Sequence, residues 1–233
     1  REIGNAIFDV DITGMFPGNT NYSAGSVTYW LNITDGTDPV INDANTTPSA
    51  VTYGENFTIY ANVTDNVAVD EVYATINGSS YLLTPLGGNL YSLPLNSTQI
   101  AGGAGFYILN ITANDSSGNT AIPFLTNITI TPASGDIELY IDGVASDATV
   151  PEDTSVNLTA VLLVPSGASD LVQIYVDGAL AANSTSPATN ISTYQPSVYN
   201  ITAVFVGNIN YSGDIQTRFL TVNDSTSPNV SVT

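Results

Sequence analysis

Apolar and polar residues alternate along most of this chain with a period of two, the pattern of strands that bury one face. In residues 55–64, Phe57, Ile59, Ala61 and Val63 share one phase, and Asn56, Thr58, Tyr60 and Asn62 share the other. The same alternation places Tyr107, Leu109, Ile111 and Ala113 on one face of 105–114. It does so for Val156, Leu158, Ala160 and Leu162 in 155–163, and for Tyr199, Ile201, Ala203 and Phe205 in 198–205. No segment sustains a 3.6-residue period. Turn dipeptides such as Asn77-Gly78, Gly87-Gly88 and Asp177-Gly178 separate the runs. Short strands at regular spacing predict an all-β chain of sandwiches or barrels, about seven strands to each domain.

One stretch occurs twice. Residues 12–39 and 201–228 match at 13 of 28 positions at an offset of 189 residues, including Phe16/Phe205, Gly18/Gly207, Asn21/Asn210, Tyr22/Tyr211 and Pro39/Pro228. The repeat organises the chain. Residues 1–35 read as the last two strands of a second-type domain, with Ile12, Phe16, Leu31 and Ile33 facing a core. Residues 38–132 read as a complete domain of a first type and 135–224 as a complete domain of the second type. Residues 228–233 read as a strand leading into, or complementing, a next domain. The expectation is a window on a longer two-domain array, or a subunit whose terminal strands complete neighbouring subunits.

Residues 62–77 (NVTDNVAVDEVYATIN), followed by 105–120 (GFYILNITANDSSGNT), resemble immunoglobulin-like domains of prokaryotic surface proteins. Residues 197–222, with YNITAVFVGNINYSG, resemble a second prokaryotic immunoglobulin-like type. The resemblance implies tandem immunoglobulin-like β-sandwiches of the kind used in surface layers, sheaths, filaments and adhesins. It also places Tyr107 and Tyr199 early in penultimate strands, like the tyrosine corner of Greek-key sandwiches, whose hydroxyl ties back to a nearby loop. A plain core aromatic is the alternative at both positions.

Charge narrows the partners. Charged residues make up 10% of the 233 residues, against about 25% in ordinary soluble domains, and the net charge is −19. Arg1 and Arg218 are the only basic residues. Nucleic acid is therefore excluded as a partner, since phosphate binding needs clustered Lys and Arg. No run approaches the roughly 18 apolar residues of a membrane span. With 43% hydrophobic residues the chain can build real cores. It has no cysteine, so no disulfide or thiolate chemistry enters. The absence of an initiating Met or signal peptide suggests a processed or excised segment.

Glycosylation acceptors are the strongest chemical signal. Asn-x-Ser/Thr occurs 17 times, at Asn21, Asn32, Asn45, Asn56, Asn62, Asn77, Asn96, Asn110, Asn114, Asn127, Asn157, Asn183, Asn190, Asn200, Asn210, Asn223 and Asn229, never with proline between. Random placement of the 24 Asn against 51 Ser and Thr would give about five. Asn56, Asn62, Asn110, Asn114, Asn127, Asn157 and Asn200 fall on the phase opposite the apolar residues, so sugars could leave the sandwich without entering its core. Asn is otherwise depleted in strands, which weakens the reading that it merely fills outward positions. N-linked glycans at this density resemble an archaeal surface protein more than a bacterial adhesin.

Catalysis is not expected. With no His, Cys or Lys, the common triads, zinc sites and Schiff-base lysines are missing, and the five Glu are scattered over strand starts and loops. Calcium is a candidate, because Asp65, Asp70 and Asp115, with Glu71 and Asn119, lie at strand ends that could converge at one pole of the first complete domain. The linkers Asp35–Asp38 and Asn223–Asp224 could add oxygens. The same residues also serve as ordinary turn formers. Thirteen Tyr and one Trp leave a sugar-binding platform as a lesser alternative.

Together these readings predict a non-enzymatic, extracellular, N-glycosylated structural module of a self-assembling cell-surface filament, sheath or surface layer. Its partners would be copies of itself or neighbouring repeats. The stalk of an adhesin is the alternative, and a carbohydrate-binding or glycan-acting protein a further one.

Overall fold

Residues 8–167 and 170–225 are described by the computed structural model, in which the chain divides into two units, 1–130 and 131–233. The strand expected at 228–233, and the acceptor Asn229, lie outside the described residues.

The first unit opens with an antiparallel hairpin of β1 (Phe8–Phe16) and β2 (Gly25–Ile33), which among the described residues pair only with each other. A two-sheet sandwich follows. One sheet runs in the order β3 (Val40–Thr47), β5 (Asn56–Thr64), β9 (Leu90–Asn96), β8 (Thr84–Gly87). The other runs β4 (Ala50–Thr52), β11 (Phe124–Thr131), β10 (Gly105–Asp115), β6 (Val69–Ile76), β7 (Ser79–Leu82). The alternation read from the sequence is the alternation of burial. Phe57, Ile59, Ala61 and Val63 of β5 and Leu109, Ile111 and Ala113 of β10 are buried, while their neighbours in sequence reach solvent.

The second unit repeats the plan. Its larger sheet is β12 (Ala133–Ser134), β20 (Tyr211–Asn223), β19 (Ser197–Gly207), β16 (Leu171–Val176), β17 (Ala179–Thr185), with β14 (Ala148–Pro151) also on β20. The smaller sheet is β13 (Asp136–Ile141), β15 (Ser155–Val164), β18 (Ala188–Thr193). Between the sheets lie Leu139, Leu158, Ile174, Ile201, Phe205 and Leu220, all at most 1% exposed. Gly135 lets this core close, because a Cβ there would stand 2.8 Å from the Phe205 ring.

Among the described residues each sandwich has nine strands where about seven were expected, and part of the excess is that the first strand of each switches sheets. In the first unit Pro48 has no amide hydrogen to continue the β3 ladder, and the chain crosses to form β4 beside β11. In the second, β13 pairs with β15 while β12 and β14 run parallel to β20.

Each sandwich carries a tyrosine corner. The Tyr107 hydroxyl donates to the Gly103 carbonyl at 2.8 Å, and the Tyr199 hydroxyl to the Gln195 carbonyl at 2.9 Å, each four residues back. Gly103 is buried and Gln195 exposed, so the two bonds differ in worth. Removing the hydroxyl strands a buried carbonyl in the first case, whereas water can replace it in the second. Tyr107→Phe is expected to cost about 1–3 kcal/mol of first-unit stability and Tyr199→Phe about 0.5–1 kcal/mol of the second. Urea denaturation of the two variants checks both the size and the order.

Candidate functional site

Three aspartates meet at one pole of the first unit. One carboxylate oxygen from each of Asp35, Asp65 and Asp115 lies within 4.8 Å of the others. Asp35 lies two residues after β2, Asp65 directly follows β5, and Asp115 ends β10. Each continues the apolar phase of its strand by one step, after Ile33, Val63 and Ala113 respectively.

Local backbone geometry holds each carboxylate by one side. Asp65 Oδ2 accepts from the amides of Val67 (2.7 Å) and Ala68 (2.9 Å). Asp35 Oδ1 accepts from the Thr37 amide (3.0 Å) and from Asn66 Nδ2 (3.1 Å). Asp115 Oδ1 accepts from the amides of Ser117 and Asn119 at 2.8 Å, and its Oδ2 accepts from Asn119 Nδ2 at 2.6 Å. Asn119 Nδ2 also lies 3.3 Å from the Asp35 carbonyl, linking the segment after β2 to the sandwich. Burial raises the Asp115 carboxyl. The Asn119 side chain and the backbone amides of Asn119, Ser117 and Gly118 outweigh that effect and hold its pKa below the ordinary carboxylate value.

Two oxygens are left over. Asp35 Oδ2 and Asp65 Oδ1 are buried and have no hydrogen-bond partner. Buried carboxylate oxygens without a donor are costly unless something positive meets them. The donor set is entirely hard oxygen, which fits calcium or magnesium and not zinc or copper.

Of the three aspartates expected to converge, Asp65 and Asp115 do so and Asp70 does not. The ladder between β10 and β6 pairs Asn114 with Glu71 and Asp115 with Val69, so Asp70 is the extra residue of a bulge and is exposed. Asp35 takes its place from a linker 30 residues away from Asp65.

The described acceptor asparagines lie outside the cores. Sixteen are described and none is buried, with Asn96, Asn110, Asn114, Asn157, Asn190 and Asn210 half-buried and the other ten exposed. Three have the amide nitrogen committed to a carbonyl: Asn77 to Ala101 (2.7 Å), Asn96 to Gly54 (2.7 Å) and Asn190 to Ala181 (3.1 Å). Sequence alone gave no signal for this. Asn110 and Asn127 flank an apolar strip on the outer sheet face, since Asn110 pairs with Leu125 and Asn127 with Ile108, and Phe106, Ile108 and Leu125 are about three-fifths exposed.

Three shallow surface concavities of the first unit, about 270–390 Å³, hold at most one carboxylate each, Asp38 in one and Asp43 in another. Glycoside hydrolysis needs two carboxylates across a sugar-sized cleft, one with a raised pKa. No described helix is long and apolar enough to cross a membrane.

No protein-family model and no curated protein matches this sequence. Among solved structures, the chain is similar to the fibronectin(III)-like modules of Clostridium thermocellum CbhA, at 16% identity over 80% of this chain and 95% of that one, TM-score 0.34. Drosophila N-cadherin EC1-3 matches at 14% identity over 93% and 77% (TM-score 0.34), and the four N-terminal Ig domains of Dscam1 isoform 6.9 at 12% over 84% and 51% (TM-score 0.40). Likeness this weak assigns no function.

Proposed function

We propose that this chain is an extracellular structural module, two immunoglobulin-like sandwiches in sequence, sheathed in N-linked glycans and built into a self-assembling surface filament, sheath or surface layer. The observation that carries the reading is the placement of the acceptors. Seventeen sequons in one chain, none of the described ones buried, distribute attachment points over both units. Glycans there hydrate a surface that has few charges, block proteases and cover sheet edges that would otherwise pair with other chains. Sugars on Asn110 and Asn127 would also cover Phe106, Ile108 and Leu125, an exposed apolar strip that otherwise favours aggregation. Copies of the same module, or neighbouring repeats, are the partners, with β1–β2 as the joint.

Calcium belongs to this reading. Asp35, Asp65 and Asp115 would hold it, with the free oxygens of Asp35 and Asp65 as ligands. The ion would neutralise three converging carboxylates and tie the segment after β2 to the first sandwich.

Glycopeptide mass spectrometry of the native surface material tests the proposal. The expected result is occupancy at most acceptors, lowest at Asn77, Asn96 and Asn190, whose amide nitrogens already donate to backbone carbonyls. Bare asparagines throughout would overturn it.

A further inference from the structure

The hairpin β1–β2 is a structural duplicate of β19–β20. Every described pair of the first reappears in the second at the 189-residue offset: Phe8↔Ile33 as Ser197↔Val222, Ile12↔Tyr29 as Ile201↔Arg218, Phe16↔Gly25 as Phe205↔Asp214. The connections match as well. Gly18 and Gly207 have φ of 88° and 85°. The Asn19 amide donates to the Tyr22 carbonyl, and the Asn208 amide to the Tyr211 carbonyl, both at 2.8 Å. The Asn19 and Asn208 side chains cap the amides two and three residues on at 2.9 Å. A threonine pair bridges the strands in both, Thr13–Thr28 and Thr202–Thr217.

The environments are opposite. Ile201, Phe205 and Leu220 are 0–1% exposed inside the second sandwich, whereas Ile12, Phe16 and Leu31 are 46–53% exposed. A face of that shape is already covered once in this molecule, and what covers it is known residue by residue.

We propose that the apolar face of β1–β2 is closed by another repeat of the strand set 131–196, so that the hairpin serves as the last two strands of a second-type sandwich. This deepens the assembly reading given above and rests on it. The register follows from the second unit. β19 lies on β16 with Phe205 opposite Val172 and Ile201 opposite Val176, and β20 lies on β14 with Leu220 opposite Ala148 and Val222 opposite Val150. Phe16 and Ile12 therefore take the partners of the β16 edge, and Leu31 and Ile33 those of β14.

One difference says which repeat fits. In the second unit Arg218 bonds the Glu138 carboxylate and the Leu139 carbonyl, Gln216 reaches Glu138, and Asp214 accepts from the Ile137 amide. The hairpin has Tyr29, Val27 and Gly25 at those three places. In the place of 197–223 it would remove the Arg218 and Gln216 partners of the half-buried Glu138 and offer that carboxylate only a neutral Tyr29 hydroxyl. Its acceptor is instead a repeat with an apolar residue at the Glu138 position, and exchange of hairpins between finished units is disfavoured.

The test joins residues 131–196, carrying Glu138→Val, directly ahead of residue 8 in the otherwise full chain. Hydrogen exchange followed by mass spectrometry then reads residues 8–33. The expected result is exchange slowed at least about a thousandfold relative to the unfused chain, as the hairpin joins a globally stable core. Adding Ile12→Asp and Leu31→Asp to the fusion should abolish that protection and leave the two original sandwiches protected. Retaining Glu138 in the added segment should reduce it at least about tenfold. Unchanged exchange over 8–33 would overturn the proposal, as would capture of 197–223 by the added segment, seen as lost protection in the original 131–196. A dimer of the unfused chain in sedimentation, with 8–33 already protected, would mean that a second hairpin closes the face, and would equally overturn it. None of these failures touches the glycan evidence, so they are distinguishable from failure of the broader function.

Discussion

Phe205→Ala is expected to destabilise the second unit by about 3–5 kcal/mol, the cost of emptying a fully buried phenylalanine site. At roughly 4–8 °C per kcal/mol for a domain of this size, its melting transition drops by more than about 12 °C. Phe16→Ala, the same position of the repeat, is expected to change the melting of the isolated chain by less than about 0.5 kcal/mol, as surface substitutions do. The residue, the strand pairing and the turn are the same. What differs is the cover, since Phe205 is 1% exposed over Gly135 and Phe16 is 46% exposed. Differential scanning calorimetry of the two variants reads the contrast directly. Equal losses would mean that the hairpin face is already covered in the free chain.

The sandwich cores were legible because burial in a strand follows a period of two, and nearly every apolar residue keeps that phase. The hairpin was legible for another reason. A repeat with 13 identities in 28 positions preserves turn chemistry, Gly18 and Asn19 above all, and hence register. The tyrosine corners came from the resemblance, and Tyr107 and Tyr199 make the expected bonds. The sheet switch at Pro48 falls outside the period-two pattern, although a missing amide hydrogen announces it. The parallel seating of β14 on β20 joins positions about 72 residues apart, a distance over which pattern carries no information.

The carboxylate site shows the same division. Asp65 and Asp115 were placed by strand-end position, and Asp70 failed because a one-residue bulge turned it outward. Strand-end position marks Asp35 only as a linker residue. Phase points to it, because all three converging aspartates sit one step of the apolar phase beyond the last apolar residue of a strand. A charged residue on an inward phase is the signal, and Asp70, two residues before Val72, carries it too; only the bulge opposite Asn114 and Asp115, which no pattern announces, turns it out to solvent. The commitment of the Asn77, Asn96 and Asn190 amides depends on carbonyls 24, 42 and 9 residues away and could not be read from any motif.

Calcium is expected to raise the melting temperature of the first unit, and this effect isolates the aspartate site. A ligand that binds only the folded state stabilises by about 2.7 kcal/mol at a concentration 100-fold above its Kd. For a domain of about 100 residues that corresponds to roughly 10–20 °C. Asp35→Asn and Asp65→Asn each remove a carboxylate whose second oxygen is buried without a partner, and each should weaken the calcium response at least tenfold in Kd. Asp70→Asn, at the outward bulge, should leave the response unchanged. The two substitutions also separate the ion from simple packing. Without calcium they relieve repulsion among converging carboxylates, so the calcium-free variants should melt no lower than the parent, while a purely structural role would lower them. Acid reverses the effect. The Asp115 carboxyl has a folded pKa below its unfolded value of about 3.9, so its stabilisation is complete above that value and is lost as pH falls through the folded pKa. Protons then also displace the metal, and the calcium-dependent part of the melting temperature should vanish below about pH 4 while persisting from pH 6 to 8. Calorimetry with calcium and with a chelator, across that range, decides between an ion site and a knot of turn residues.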